Sequence, residues 1–209
     1  MDYLQQLIER YPQLTGNKDA VLKAYHLLAE TFESGGKLLV AGNGGSAADA
    51  DHIVGELMKG FVKKRPLSGD FIAKLRSVDP ENAEYIGRSI QQGLPAIALS
   101  VHTALTTACI NDIDAHIIYA QQVYGYGAAG DTFLGISTSG NAKNVLCAMI
   151  TAKAKNMNTV ALTGGTGGVL AHIADTAIIV PETETYKIQE LHLPIYHALC
   201  LMIEEHFFK

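Results

Sequence analysis

Lys37-Leu38-Leu39-Val40-Ala41-Gly42-Asn43-Gly44-Gly45-Ser46 is the stretch on which the fold is decided. Its apolar half is too short for a helix and ends in residues that turn the chain, while residues 46–60 resume a helical spacing of apolar positions. The order is therefore strand, glycine-rich turn, helix. It returns downstream, where Thr132-Phe133-Leu134-Gly135-Ile136 runs into Ser137-Thr138-Ser139-Gly140-Asn141 and a helix to about Asn156. It returns again where Asn158 to Leu162 runs into Thr163-Gly164-Gly165-Thr166-Gly167-Gly168. Pro95 to Leu99 and Ala177 to Val180 are two further apolar runs of strand length, and a helix over Thr185 to Phe207 closes the chain. Residues 2–34 read as helical, with a break from Pro12 to Gly16.

Apolar strands alternating with helices predict an α/β protein: a three-layer, doubly wound sandwich around a five-stranded parallel sheet. The right-handed crossover rule gathers the glycine-rich turns at the carboxyl end of that sheet, where such folds bind ligands. Residues 61–94 interrupt the rhythm. Phe61-Val62-Lys63-Lys64-Arg65-Pro66 is basic, and Leu67 to Gln92 is mixed and amphipathic. Residues 64–93 are read as an insertion carrying one short helix, Pro80 to Gln91, serving as a lid or as a surface excursion. The whole of 1–209 is otherwise expected to be a single domain.

The 209 residues carry 16 Lys and Arg against 21 Asp and Glu, a net charge of −5. A chain this apolar (48%) and this lightly charged (18%) has the means to bury a core, which excludes a disordered chain. The missing basic excess argues against direct nucleic-acid binding. Cys109, Cys147 and Cys200 lie far apart with no metal-binding spacing, as expected in a reducing compartment. The start Met1-Asp2-Tyr3-Leu4-Gln5-Gln6 has no signal-peptide pattern, and no apolar run reaches membrane-spanning length. A cytoplasmic protein without a membrane partner is the expectation.

Two turns share the chemistry of anion sites. Unpaired backbone N–H groups and the positive end of the dipole converge at a helix N-terminus, and glycine lets an anion approach them. One Ser or Asn per helix is ordinary capping. Three successive hydroxyls, Ser137, Thr138 and Ser139, exceed what a cap uses, and a second such loop on a neighbouring strand strengthens the anion reading. Neither loop is a Walker A or dinucleotide fingerprint.

His52 and Glu56, four apart on the helix after the first loop, share a face. Gln189 and His197, eight apart on the last helix, also share one. His52, Glu56, Gln189 and His197 together make a cluster of imidazole, carboxylate and amide that could move protons or hold zinc; the alternative is a solvated ion pair on a helix surface. His102 falls at a cap, and His26, His116, His172 and His206 read as solvated.

These motifs, taken in order, resemble the sugar isomerase (SIS) domain family. They are Gly42-Asn43-Gly44-Gly45-Ser46 with Asp49, His52 and Glu56; Gly135 to Asn141; Leu162-Thr163-Gly164; and Ile188-Gln189-Glu190-Leu191-His192 with His197. More narrowly they are similar to its phosphoheptose isomerase branch, over nearly the whole chain outside about 64–93. The resemblance implies a flavodoxin-like domain and a homotetramer in which residues 1–34 serve oligomerisation and active sites lie at subunit interfaces. It also implies isomerisation of sedoheptulose 7-phosphate to D-glycero-D-manno-heptose 7-phosphate through an enediol. By the same resemblance Ser46, Ser137, Thr138 and Ser139 hold the phosphate, and Asn43, Gly44, Asp112 and Gln189 contact the substrate. Glu56 is the base, His197 relays a proton on the other side, and His52, Glu56, Gln189 and His197 are the zinc positions of some members.

Three positions depart from the pattern. Gly60 replaces an arginine, for which Lys63, Lys64 and Arg65 are the candidate substitutes; Ala142 replaces a serine; Tyr186 replaces an aspartate. All three surround the substrate rather than the acid–base pair. They leave open two other readings, a non-catalytic sugar-phosphate sensor or replication-initiator-associated regulator, and a different SIS enzyme acting on aminosugar phosphates.

Overall fold

Leu38–Ala41 forms the strand that the opening stretch predicts, and all four residues are buried. In the computed structural model, which describes residues 2–208, this β1 lies inside a five-stranded sheet. Its companions are β2 (Ala96–Ala98), β3 (Thr132–Ile136), β4 (Asn158–Gly164) and β5 (Thr176–Val180), in the order β2-β1-β3-β4-β5. Every pairing is parallel, with Leu38 beside both Ala96 and Thr132, Thr132 beside Asn158, and Val160 beside Thr176.

Alternation along the strands sends successive side chains to opposite faces and builds two cores. Leu38, Val40, Leu134, Ile136, Val160, Leu162, Ile178 and Val180 pack under the first helical layer. That layer holds α1 (Tyr3–Arg10), α2 (Lys18–Glu33), α3 (Gly45–Met58) and α10 (Thr185–Phe207). Leu39, Ala41, Phe133 and Ala161 pack under the opposite layer. There lie α6 (Thr103–Asp112), α7 (Ile118–Tyr126), α8 (Lys143–Ala154) and α9 (Gly168–Ile173). The expected break between the first two helices is a 3₁₀ turn, Pro12–Asn17. Among the described residues no helix is long and apolar enough to cross a membrane.

The 61–94 region differs from its reading. It carries two short helices, α4 (Gly69–Val78) and α5 (Pro80–Ser89), not one. Ser68 caps the first by accepting from the N–H of Phe71, and Asp79 caps the second by accepting from Glu81 and Asn82. Ile72 packs over Gly87 between them, and no residue of α4 is buried. The Ser68 cap and Asp70 in the first turn of α4 were its legible signals.

Candidate active site

β1 and β3 are neighbours, yet the helices that follow them leave to opposite faces, α3 to one core and α8 to the other. A crevice opens at the carboxyl ends of two such strands, and this is the binding position of the 2-1-3-4-5 sheet order. Gly42 to Ser46 and Ser137 to Asn141 meet there. With Gln189 and Thr185 they line a cavity of about 320 Å³ formed by Asn43, Gly44, Gly45, Ser46, Ser137, Thr138, Ser139 and Ala142. The cap residues of α3 and α8, Gly44 and Ala142, supply no side-chain hydrogen bond to their helices. The cavity therefore faces the N-termini of α3, α8 and α10 and the hydroxyls of Ser46, Ser137, Thr138, Ser139 and Thr185, the donor set that suits an anion, with no basic residue in its lining.

The two loops are tied to each other. Asn43 and Asn144 exchange amide hydrogen bonds, each Nδ2 donating to the other's Oδ1 at 2.9 Å. The Tyr119 hydroxyl donates to the Gly42 carbonyl at 2.6 Å from below, and burial pushes its pKa up. Gly45 lets the Gln189 side chain come in close: a Cβ there would lie 2.6 Å from its Nε2, so any other residue would push the amide aside. That contact seats α10 beside the start of α3.

Further along the same seam stands the acid–base group. His52 Nε2 lies 3.2 Å from Glu56 Oε1, and Lys59 Nζ lies 3.1 Å from Glu56 Oε2. From α10, His197 Nε2 reaches His52 Nε2 at 3.5 Å, with the two rings edge to face at 4.9 Å. Burial and then the neighbouring His52 lower the His197 pKa, against an opposing pull from Glu56. Gly45 meets Gln189 and His52 meets His197, so α3 and α10 advance together and run parallel. Phe61 covers His197 on one side, ring centroids 5.4 Å apart.

Three of the four expected donors, His52, Glu56 and His197, thus gather, while Gln189 sits at the loop cavity. Two donor spacings, 3.2 and 3.5 Å, match the roughly 3.3 Å separation that zinc bonds of about 2.0–2.1 Å imply. The donor types fit zinc, although among the described residues no three His, Cys, Asp or Glu close around an ion position. Asp112 is not in this group. It ends α6 on the surface and accepts from Asn111 Nδ2 at 2.7 Å.

His192 shares α10 with the site but is turned into the core, fully buried, with Nε2 3.2 Å from the Thr163 carbonyl. Burial pushes its pKa down to about 4, so it stays neutral. Sequence reasoning missed Tyr196, Lys59, Asn144 and Tyr119. Only Lys59 carried a signal, its position three residues after Glu56, at the C-cap of α3.

The departures now have places. A Cβ at Gly60 would lie 2.3 Å from the Lys63 carbonyl and 2.5 Å from Gln91 Oε1, so no arginine fits this turn. Arg65 does not replace it: its side chain is fully buried and paired with Glu204. Neither does Lys63, which pairs with Glu205 at 3.0 Å and donates to the Phe208 carbonyl. Lys64 is exposed and is not among the residues lining the cavity. Ala142 lines the cavity, and Tyr186 is exposed on the first turn of α10. Beside His197 a second groove of about 200 Å³ runs between α1 and α10, lined by Tyr3, Arg10, Leu193 and Leu201 among others.

Residues 2–92 and 83–164 match the SIS domain family. The chain is 39% identical over 180 residues to a phosphoheptose isomerase of Aneurinibacillus thermoaerophilus, covering 86% of this chain and 78% of the relative. It is 39% identical over 194 residues to one of Helicobacter pylori, covering 93% and 88%. Among solved structures it is similar to phosphoheptose isomerase from Neisseria gonorrhoeae, with TM-score 0.74, 32% identity and coverage of 97% and 91%.

Proposed function

The chain belongs to the SIS domain family, and from that premise we propose that it is a phosphosugar isomerase converting sedoheptulose 7-phosphate to D-glycero-D-manno-heptose 7-phosphate. One observation carries the reading: the anion cavity and the His52–Glu56–His197 group lie along a single seam, α3 against α10. Helix rise puts His52 about 9 Å and Glu56 about 15 Å beyond Ser46 along α3, with side chains leaning back toward the cavity. A seven-carbon chain extended from its phosphate bridges that span, whereas a three-carbon one does not.

Ser46, Ser137, Thr138 and Ser139 hold the phosphate in this reading, and Asn43, Gly44 and Gln189 orient the sugar beside it. Asp112, which lies away from the cavity of its own chain, contacts substrate only across an interface between copies. Aldose–ketose interchange removes a proton from the carbon next to the carbonyl and returns it to the former carbonyl carbon. It therefore needs a base on the carbon chain and an acid–base group at the oxygens of the enediol. Glu56 is the base and His197 shuttles the oxygen-bound proton. We propose that zinc, when bound, would be held by His52, Glu56 and His197, with Gln189 joining as fourth donor once its side chain turns from the loop cavity, and that it would stabilise the developing oxyanion. The protein assembles as a homotetramer in which a partner copy covers the α1–α10 groove beside His197, and the enzyme works in the cytoplasm.

Retention of both proton-transfer groups favours an enzyme over a sugar-phosphate sensor or regulator of the same fold. The test is to incubate the protein with sedoheptulose 7-phosphate and shorter ketose phosphates, with added zinc and after chelation. Formation of the heptose aldose is expected. No turnover of any ketose phosphate by the folded protein overturns the reading.

A further inference from the structure

The proposed base keeps a cation beside it. α3 ends at Lys59, whose backbone is extended, and the chain turns at once through Gly60. Gln91 Oε1 accepts the Gly60 N–H at 3.0 Å and the Lys63 carbonyl crowds the same turn, so its course is set from outside the helix. The Lys59 side chain runs back along α3. Its Nζ lies 3.1 Å from Glu56 Oε2 and donates to the Gly60 carbonyl at 3.3 Å. The other carboxylate oxygen, Oε1, lies 3.2 Å from His52 Nε2, and the Tyr196 hydroxyl backs that histidine at 3.0 Å from Nδ1. Glu56 thus has a braced imidazole on one oxygen and a flexible ammonium on the other. Its side chain is 14% exposed against 59% for Lys59, so the ammonium stands on the solvent side of the base.

An ammonium has three protons to donate. Glu56 and the Gly60 carbonyl take two, and among the described residues nothing takes the third. We propose that Lys59 is a further catalytic residue, the cation that stabilises the oxyanion of the enediol intermediate. Before reaction its charge is matched by Glu56. Glu56 then takes the proton from the carbon next to the carbonyl. The C–H electron pair becomes the new carbon–carbon double bond, and the carbonyl π pair moves onto oxygen. Negative charge leaves the carboxylate and arrives on the substrate. The ammonium follows it with its third N–H, and the freed Oε2 holds the transferred proton. When the enediolate collapses to the aldose, the proton goes to the former carbonyl carbon and the ammonium returns to Glu56. The interaction with the substrate oxygen strengthens only as charge develops there, which is the condition for lowering the barrier. It also supplies a cation where Gly60 excludes an arginine and where Lys63 and Arg65 are already paired.

The inference rests on the isomerase reading. An exposed ion pair of this kind adds little to stability, so its removal should leave the fold intact. The test is steady-state kinetics with sedoheptulose 7-phosphate on the native protein, Lys59→Met and Lys59→Arg. It is run in whichever metal condition, zinc added or chelated, supports native turnover. Lys59→Met should lose about 10²- to 10³-fold in kcat. Its KM, its affinity for inorganic phosphate and its melting temperature should stay as in the native protein. Lys59→Arg keeps the charge and should retain at least roughly a tenth of native kcat. A Lys59→Met kcat within about threefold of native, or a loss no greater than that of Lys59→Arg, overturns the inference while native turnover upholds the isomerase reading. Absence of native turnover on any ketose phosphate overturns both.

Discussion

Arg65 lies 2.8 Å from Glu204 with neither side chain reaching solvent, and this pair ties the end of α3 to the end of α10. The guanidinium also donates to the carbonyls of Leu57 at 2.7 Å and Glu56 at 3.2 Å, the last turn of the helix that carries the proposed base. Glu204 in turn accepts from three successive backbone N–H groups, Phe61, Val62 and Lys63. The chain leaving α3 is thereby folded back across α10, so Phe61 comes to lie on His197. Burial alone would raise the Glu204 carboxyl, but the N–H groups of Val62, Phe61 and Lys63 together with Arg65 outweigh it and hold it below the usual range.

Removing one member of this pair leaves the other charged and buried. Glu204→Gln or Arg65→Met should cost about 3–5 kcal/mol, a fall in melting temperature of roughly 10 °C for a chain of this size. Thermal unfolding of each variant measures it. An unchanged melting temperature would show that the pair is replaceable by packing alone.

Glu56→Gln keeps the shape of the side chain and removes the base. Turnover of sedoheptulose 7-phosphate should drop about 10²- to 10⁴-fold, while affinity for inorganic phosphate stays as it was, since the loops at the other end of the seam hold it. Substantial activity in this variant would remove Glu56 from its role.

Ala142 stands at the N-cap of α8 on the wall of the anion cavity and supplies no hydrogen bond to the helix. Ala142→Ser adds a hydroxyl that can cap the helix or donate to phosphate. Free of substrate, the variant should be more stable by about 1 kcal/mol. Its KM for a sugar phosphate should fall several-fold with little change in kcat. A rise in KM would place the phosphate away from this wall.

His192 makes stability depend on pH with a defined sign. Its pKa is about 4 in the fold and 6.5 in the unfolded chain. Below pH 6.5 the unfolded chain takes up a proton that the folded one refuses. The His192 contribution is therefore complete above pH 6.5 and is lost as pH falls toward 4, by about 1.4 kcal/mol per pH unit. Denaturant unfolding at pH 7 and pH 5 should differ more in the native protein than in His192→Asn, by roughly 2 kcal/mol. Equal differences would show that His192 is accessible to protons in the fold.

Much of this molecule is legible in one dimension. Leu38 to Ala41, Thr132 to Ile136 and Asn158 to Gly164 are short apolar runs ended by Gly, Ser, Thr and Asn. Strand length and turn chemistry are local properties, so the strands, the loops and their gathering at one sheet edge follow from composition and the crossover rule. His52 with Glu56, and Gln189 with His197, were visible because helical spacing is also local.

What crosses from one element to another was not visible. The meeting of His52 with His197, the withdrawal of Gln189 to the loop cavity and the burial of His192 depend on how α10 is seated on α3. That seating is decided by the close approach at Gly45 and by the Arg65–Glu204 pair, contacts between residues more than a hundred positions apart. Arg65 illustrates the difference: in sequence it is one of three cations next to a missing arginine, and in space it is buried against Glu204. The sequence determined by itself which elements form and which chemical groups they carry, because propensity and periodicity act within a few residues. Only the tertiary structure decided which of those groups face one another, because that depends on packing and on where buried charge finds its partner.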